Sequence, residues 1–208
     1  MTTSKLQMLC AEQTDVKERK KTLRAYMKKR RADNANRDVK ETLLIQNLFT
    51  LFSTLSQKTK GAGMQPTVFV YMSYSSETPT DLLIERLKEQ GYVVLCPRVE
   101  EKEMVAVVHG EDFTLSSMRI REPVGQAFEG DIDIIITPLL AVDIKGNRLG
   151  YGGGYYDRFF QKHTQAIKIG YAFDFQVLEN VPKEENDIPL DYTVTDTRII
   201  EHGTQENV

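Results

Sequence analysis

The stretch "DIDIIITPLLAVDIKGNRLGYGGGYYDRFFQKH", residues 131–163, runs from branched apolar residues through a glycine cluster into an aromatic and charged segment. An apolar run without polar alternation is typical of a strand that is buried on both faces of a parallel sheet. Four of the five residues at 150–154 are glycine, and the residues from about 155 to 163 have helical spacing. A strand that leads through glycines into a helix predicts an α/β sheet whose connecting loop has unusual backbone freedom.

Helical and strand-like segments alternate along the rest of the chain. Apolar spacing predicts helices over 15–31, 38–56 and 78–91, and the second has one broad apolar face (Leu43, Leu44, Leu48, Leu51, Phe52 and Leu55). Strands are predicted over 67–72, 92–97, 103–110, 131–138, 166–171 and 191–195. Strands separated by helices in this order predict a three-layer α/β fold with helices on both faces of the sheet.

Proline, glycine and threonine residues indicate where these elements end. Thr78 is expected to cap the third helix, Pro79 suits its first turn, and Gly91 is expected to end it. Pro97 is expected to stop the second strand, because proline has no amide hydrogen to donate. The segment 61–66, "GAGMQP", is expected to interrupt the chain before the first strand.

Length and composition indicate one globular domain. The chain has 208 residues, of which 40% are hydrophobic, an ordinary share for a globular protein. Its net charge of -3 excludes a global electrostatic field that attracts nucleic acid or membrane. Residues 1–17 are expected to form a mobile N-terminal tail and residues 18–208 a single domain. Cys10 and Cys96 are too few for a disulfide framework, and there is no signal peptide or membrane-spanning run. We therefore expect a cytoplasmic protein.

The glycine cluster has two interpretations. Backbone amides between a strand and a helix N-terminus can point at one anion, Arg148 offers a fork of donors to phosphate, and Asp157 is a ligand type that Mg²⁺ prefers. On this interpretation Gly153 is expected at a positive φ, and Asp143 and Lys145, just upstream, are expected to tolerate alanine. A tight packing turn explains the same glycines equally well. The cluster is neither a Walker loop nor a dinucleotide fingerprint.

Five sequence elements in order resemble the 5-formyltetrahydrofolate cyclo-ligase family, also called methenyltetrahydrofolate synthetase. The elements are "KKTLR" (20–24), "YMSYSSETPT" (71–80), "MRIREP" (118–123), "NRLGYGGGYYDRF" (147–159) and "NVPKEENDIPLDYTVTDT" (180–197). They cover roughly residues 20–197. Asn186 stands where many bacterial members have histidine.

The resemblance implies an ATP-driven ring closure. The family transfers the γ-phosphoryl group of MgATP to the formyl oxygen of 5-formyltetrahydrofolate, and N10 then closes the ring to 5,10-methenyltetrahydrofolate with release of ADP and phosphate. Such chemistry needs cations, amide donors and a metal ligand more than a nucleophile. The resemblance also implies the NagB/RpiA/CoA transferase-like fold, a monomer, Mg²⁺ as cofactor, and a folate substrate that can be polyglutamylated.

Residue roles follow from the resemblance position by position. Arg148 and Tyr155 are implied as catalytic, and Asp157 and Asp187 as magnesium ligands. The residues implied to bind ATP are Lys20, Lys21, Arg24, Arg148, Leu149, Gly150, Tyr151, Gly152, Gly153, Gly154, Tyr155 and Tyr156. The residues implied to bind the folate are Met72, Glu77, Tyr151, Gly152, Gly153, Gly154 and Tyr155.

Two other classes of function are compatible with parts of the sequence. Residues 17–40 contain eleven Lys or Arg against three acidic residues, a density that can bind nucleic-acid phosphates nonspecifically. A different enzyme on a similar sheet, such as a sugar-phosphate isomerase, is the second alternative, because a fold does not determine its chemistry. Dependence on ATP distinguishes a cyclo-ligase from a sugar-phosphate isomerase, because an isomerase needs no nucleotide.

Overall fold

The computed structural model describes residues 15–55 and 66–203, which form a mixed α/β fold around a seven-stranded sheet. The helices are α1 (Val16–Ala32), α2 (Arg37–Leu55), α3 (Asp81–Glu89) and α4 (Tyr155–Lys162). The strands are β1 (Thr67–Val70), β2 (Val93–Glu100), β3 (Glu103–Val108), β4 (Phe113–Leu115), β5 (Arg121–Pro123), β6 (Ile134–Thr137), β7 (Ala141–Asp143), β8 (Arg148–Leu149), β9 (Ile167–Tyr171), β10 (Val177–Leu178), β11 (Tyr192–Val194) and β12 (Ile199–Glu201). Every helix and strand predicted from the sequence is present.

The large sheet is parallel at its centre and antiparallel at both edges. Its strand order is β12-β11-β9-β6-β1-β2-β3. The five strands from β11 to β2 pair in parallel, while β12 and β3 are antiparallel edge strands. Parallel strands buried on both faces explain why β1 and β6 are continuous apolar runs.

Successive residues of the central strands face two separate cores, as predicted for helices on both faces. Val68 and Val70 pack in one cluster with the apolar faces of α2 and α3. Phe69 lies on the opposite face of β1, where it packs against Phe159 of α4 with ring centroids 4.5 Å apart. Leu43 was predicted in the apolar face of α2 but is 40% exposed, because that face is narrower than the sequence suggests.

Helix α1 lies on a second, three-stranded sheet of order β10-β7-β8. Its Leu23 and Met27 are buried among apolar residues of this small sheet. Asp15 caps the helix by accepting a hydrogen bond from the Lys17 amide at 3.0 Å. The expected boundary between tail and domain at residue 17 therefore falls inside a helix, while Cys10 and the rest of 1–14 lie outside the described residues.

Several predicted element ends differ from the structure by one to three residues, and for two of them the contacts give the reason. Helix α3 begins after Thr80, not at Thr78, because Thr80 Oγ1 donates to the Tyr71 carbonyl at 2.7 Å and ties the helix start to β1. Strand β2 continues through Pro97, since beyond Leu95 it pairs only with β3 and a proline is tolerated there. The predicted end of α3 is confirmed at Gly91, which has a φ of 82°. Residues 61–65 of the predicted break lie outside the described residues.

A hairpin separates β6 from the glycine loop, where the sequence indicated only a short connection. Strands β7 and β8 pair antiparallel, and Asp143 closes the hairpin turn. The Asp143 carboxylate is fully buried and accepts from the Lys145 and Asn147 amides, the Asn147 side chain and the Val181 amide. Asp143 is therefore a structural centre, and the expectation that it tolerates alanine is wrong.

No helix within residues 15–55 and 66–203 is both long enough and apolar enough to cross a lipid bilayer.

Replacing Asp143 with alanine should destabilise the protein strongly. The change leaves four buried or half-buried donors without their acceptor, so we expect a loss of about 3 kcal/mol or more in the free energy of unfolding. Lys145→Ala is the matched control, because this side chain is exposed two residues away and its removal should change stability by less than about 0.5 kcal/mol. Equal denaturant midpoints for the two variants would contradict the structural role of Asp143.

Candidate active site

A cleft of about 860 Å³ opens where the central strands β1 and β6 end. Tyr71 and Met72, directly after β1, and Pro138, directly after β6, line its floor. Helix α1 and the loop between β8 and α4 form two of its walls. The carboxyl ends of parallel strands are the usual position of ligand sites in open α/β sheets.

The glycine loop, residues 150–154, lies along this cleft. Gly152 and Gly154 have φ values of 100° and 66°, which residues with a side chain rarely adopt. Gly153 has no such φ, so the prediction of a positive φ there is wrong; a Cβ at Gly153 would instead approach the Tyr155 ring to 2.8 Å. Gly154 leads directly into α4, whose first turn also lines the cleft.

Arg148, at the start of β8, is a buried cation with unused hydrogen-bonding capacity. Its Nη2 donates to both carboxylate oxygens of Asp157, at 3.1 and 3.2 Å, and its guanidinium lies 5.5 Å from the Tyr156 ring centre. Its Nε is buried and has no hydrogen-bond partner among the described residues. A Cβ at Gly150 would lie 2.6 Å from Nη1, so this glycine gives the guanidinium its room. An unsatisfied buried donor beside a glycine loop suits an anion.

Helix α1 brings further cations to the same cleft. Lys20 is only 3% exposed, and its Nζ donates to Glu184 at 2.6 Å and Asp187 at 2.5 Å. Arg24, one turn later, donates from Nε to the Gly150 carbonyl at 2.9 Å. The basic run at 17–40 is therefore not one solvated face, because some of its cations turn into the cleft.

Lys21 is the one sequence-predicted site residue that does not line the cleft. It is exposed to solvent and pairs with Glu18 at 3.3 Å. All the others, which lie entirely within the described part of the chain, are cleft residues.

Glu77 stands on the loop between β1 and α3 and faces the cleft. Its carboxylate accepts from the Tyr74 amide at 2.8 Å, and Arg37 holds the loop by donating to the Ser76 and Glu77 carbonyls. Burial raises the pKa of Glu77 above its ordinary value, although hydrogen bonding with Tyr151 and the Tyr74 amide and the charge of Arg31 act in the opposite direction.

Three tyrosines of the loop and α4 surround the same space. The Tyr151 hydroxyl accepts from Arg31 at 2.6 Å, and burial together with the Glu77 charge raises the pKa of Tyr151. Tyr155 packs under Arg158, whose guanidinium is 5.1 Å from its ring centre. Burial also raises the pKa of Tyr156 well above its ordinary range. With raised pKa values, Tyr151 and Tyr156 keep their hydroxyl protons at neutral pH and act as hydrogen-bonding groups, not as bases.

Asp157 and Asp187 come together through the fold, as their separation in sequence requires. The amide of Ile188, next to Asp187, donates to Asp157 Oδ1 at 3.4 Å. Each carboxylate already faces a cation, Arg148 for Asp157 and Lys20 for Asp187. No cluster of three or more His, Cys, Asp or Glu side chains suited to a metal occurs among the described residues. Two carboxylates beside buried cations and a glycine loop nevertheless fit Mg²⁺, which usually takes one or two protein carboxylates together with substrate phosphates.

Sequence reasoning missed two residues of this site. Glu184 shares Lys20 with Asp187, and no pattern in the sequence indicated it. Arg31 is buried at the cleft wall, and its spacing from Lys20, Arg24 and Met27 puts all four on one face of α1. That helical spacing was the available signal, but Arg31 lies in a run of four basic residues (28–31) that resembles a solvated patch.

Together, these features define an α/β protein with an anion-binding cleft that combines cations, a glycine loop and paired carboxylates. The sequence matches the 5-formyltetrahydrofolate cyclo-ligase family over residues 16–196, and the chain belongs to that family.

Individual relatives agree with this assignment. The chain is similar to the 5-formyltetrahydrofolate cyclo-ligase of Escherichia coli K12, with 36% identity over 149 residues, 66% of this chain and 82% of the relative. It is 27% identical to the mouse 5-formyltetrahydrofolate cyclo-ligase over 191 residues, 83% of this chain and 91% of the relative. Its fold is similar to the solution structure of Aquifex aeolicus 5,10-methenyltetrahydrofolate synthetase, with a TM-score of 0.73 and 26% identity over 91% of this chain and 95% of that one.

The raised pKa of Glu77 predicts how a neutral replacement changes stability with pH. The folded protein binds the proton of the Glu77 carboxyl more tightly than the unfolded chain does. Its contribution to the free energy of unfolding is therefore complete below the pKa of Glu77 in the unfolded chain and is lost as pH rises through the pKa of Glu77 in the folded protein. Glu77→Gln should therefore melt at a higher temperature than the wild type at pH 7 to 8, and the difference should vanish near pH 4. Glu85→Gln, an exposed glutamate of α3, is the control and should show no such gap. A Glu77→Gln variant that melts below the wild type at pH 8 would contradict the prediction.

Proposed function

We propose that the protein catalyses the ATP- and Mg²⁺-dependent conversion of 5-formyltetrahydrofolate to 5,10-methenyltetrahydrofolate, with release of ADP and phosphate. The observation that carries this proposal is the convergence in one cleft of the residues that the family resemblance implies for nucleotide, folate and metal. Family membership over residues 16–196 supports it independently of the cleft geometry.

The nucleotide phosphates are proposed to bind between α1 and the glycine loop. Lys20, Arg24 and Arg148 supply positive charge there, and Gly152 and Gly154 let the backbone approach closely. The Arg148 guanidinium, whose Nε has no hydrogen-bond partner among the described residues, is proposed to donate to a phosphate oxygen. Transfer of a phosphoryl group depends mainly on positioning and charge neutralisation, which these groups provide. Lys21, turned away from the cleft, is left out of this proposal.

The folate is proposed to lie between Glu77 and the tyrosines of the glycine loop. The Glu77 carboxylate can accept hydrogen bonds from the N–H edge of the pterin, while Met72 and Tyr155 offer apolar surface to its ring. In the reaction, the formyl oxygen attacks the γ-phosphorus and ADP leaves. N10 then attacks the activated carbon and loses its proton, and the phosphate departs with the former formyl oxygen. Arg148 is proposed to stabilise the charge on the transferred group, and Tyr155 to hold the folate against it.

Asp157 and Asp187 are proposed to hold Mg²⁺, which when bound neutralises phosphate charge. Arg148 is then released to bind a phosphate oxygen, while Lys20 loses one of its two carboxylate partners and keeps Glu184. A metal that enters with the phosphate therefore gives Asp157 and Asp187 a new cation when their present partners turn to the phosphate.

Four further features complete the proposal: the fold assignment, the number of domains, the oligomeric state and the range of substrates. The parallel centre of the sheet, with α2 and α3 on one face and α4 on the other, supports the NagB/RpiA/CoA transferase-like assignment. The continuous cores support a single domain, and we propose a monomeric enzyme that also accepts polyglutamylated folate.

Activity should require three components together. Purified protein with MgATP and 5-formyltetrahydrofolate should form the methenyl product, detected by its near-ultraviolet absorbance, and omission of ATP, metal or folate should abolish the signal. Product without nucleotide would favour an isomerase-like chemistry, and no product with all three present would refute the proposal. Binding of duplex DNA at 150 mM salt tests the nucleic-acid alternative, for which we expect none.

The two aspartates should set the metal requirement. Asp157→Asn and Asp187→Asn should each raise the magnesium concentration for half-maximal activity by about tenfold or more, since each removes a charged ligand. Glu184→Gln is the matched control, because it also removes a partner of Lys20 but is not a proposed ligand. Circular dichroism checks that all three variants fold. An unchanged magnesium dependence in both aspartate variants would leave these residues with structural roles only.

A further inference from the structure

Arg31, in the last turn of α1, is a buried cation that the mechanism above does not use. It is only 3% exposed. Its guanidinium donates to Ser76 Oγ at 3.2 Å, to the Leu139 carbonyl at 3.2 Å and to the Tyr151 hydroxyl at 2.6 Å. None of these acceptors is a carboxylate. A guanidinium is well suited to this arrangement, because its donors form a rigid planar fork.

The three acceptors belong to three different segments of the chain, two of which line the cleft. Ser76 precedes Glu77 on the loop after β1, Leu139 follows β6, and Tyr151 belongs to the glycine loop. A single side chain therefore fixes the distance between the segment that carries Glu77 and the segment that carries Tyr151.

Tyr151 needs such a fixed partner. Its side chain is 42% exposed, and it lies between glycines that place few restrictions on the backbone. Arg31 lies 5.5 Å from its ring centre in addition to bonding its hydroxyl, and Arg24 holds the carbonyl of the preceding Gly150. Helix α1 thus holds the loop at two successive residues.

Stability alone does not account for this arrangement. A buried cation that meets only neutral acceptors is costly to desolvate, and apolar residues of similar volume often replace buried charges without loss of stability. The charge of Arg31 has its effect on the neighbouring Glu77, whose ionised form it favours. The arginine at this position is therefore better explained by a role in ligand binding than by a contribution to stability.

We propose that Arg31 is a positioning residue for the folate, which holds the Tyr151 hydroxyl and the Ser76–Glu77 segment in the one arrangement that accepts the pterin. The inference rests on the proposed function, since it assumes that the folate binds against Glu77 and Tyr151. Arg31 itself acts through these two residues and is not assigned a contact with the reacting atoms.

The charge of Arg31 should also affect how folate binding depends on pH. The groups that face Glu77 are Arg31 from α1, Tyr71 after β1, Tyr151 from the glycine loop and Tyr156 from α4. Of these, only Arg31 is positively charged; Arg37 of α2 also contacts Glu77, but it donates to the backbone carbonyl. Its loss raises the pKa of Glu77 further, so ionised Glu77 should become available for the folate only at higher pH.

The test compares Arg31→Met and Arg31→Lys with Arg30→Met, a neighbouring arginine that contacts Phe175 and does not line the cleft. Arg31→Met should raise KM for 5-formyltetrahydrofolate about tenfold with kcat and the KM for ATP within about twofold of wild type. The acid limb of kcat/KM for the folate should move to higher pH. Arg31→Lys should restore the wild-type pH profile more fully than the wild-type KM, because lysine keeps the positive charge but lacks the planar fork of donors. Arg30→Met should match the wild type.

Tyr151→Phe keeps the test decisive if Arg31→Met fails to fold, since it removes only a hydroxyl from a partly exposed ring. It should raise the folate KM by about threefold or more. In the double variant with Arg31→Lys, the factor by which the folate KM rises should be smaller than the product of the two single-variant factors. An unchanged folate KM and pH profile in folded Tyr151→Phe and Arg31→Lys would overturn the proposal. Calorimetric titration of wild-type protein with 5-formyltetrahydrofolate distinguishes failure of the Arg31 proposal from failure of the proposed function. Absence of both binding and turnover in the wild type refutes the proposed function itself.

Discussion

The structure depends on how a strongly basic helix satisfies its buried cations. Helix α1 buries Lys20 and Arg31, and both need acceptors because an unpaired buried charge is costly. The acceptors are the carboxylates of Glu184 and Asp187 at one end and a carbonyl and hydroxyls at the other. All of these residues except Leu139 line the cleft. The requirement to pair the cations of α1 therefore also brings the C-terminal loop, the glycine loop and the β1–α3 loop together around one space.

The sequence predicted the central layers well because their physical signals are local. Buried parallel strands are continuous apolar runs, and the core-facing residues of α2 recur at helical spacing. The small β7–β8–β10 sheet was missed for the opposite reason, since strands of two or three residues carry too little periodicity to detect. Asp143 illustrates the same limit: nothing in its neighbourhood in sequence reveals that Val181 donates to it across the fold.

The candidate site was predictable only in part. Resemblance to a family indicated all of its predicted residues, and all but Lys21 line one cleft. Lys20 and Lys21 are adjacent in sequence, yet successive helical residues point about 100° apart, and here only Lys20 faces the cleft. Glu184 and Arg31 were not found because their roles come from long-range contacts, Glu184 with Lys20 and Arg31 with Leu139 and Tyr151.

The cleft is balanced in charge before any ligand enters, and this balance has a consequence for specificity. Lys20 and Arg148 are neutralised by carboxylates, so a phosphate alone must compete with Asp187 and Asp157 for them. A phosphate that arrives with a divalent cation offers those carboxylates a replacement partner and meets no such penalty. On the proposed function, the paired carboxylates thus discriminate against the metal-free nucleotide. Among the described residues no cation bonds the Glu77 carboxylate, so its ionised form depends on the charge of Arg31, on hydrogen bonds with Tyr151 and the Tyr74 amide, and, on the proposed function, on donors of the folate.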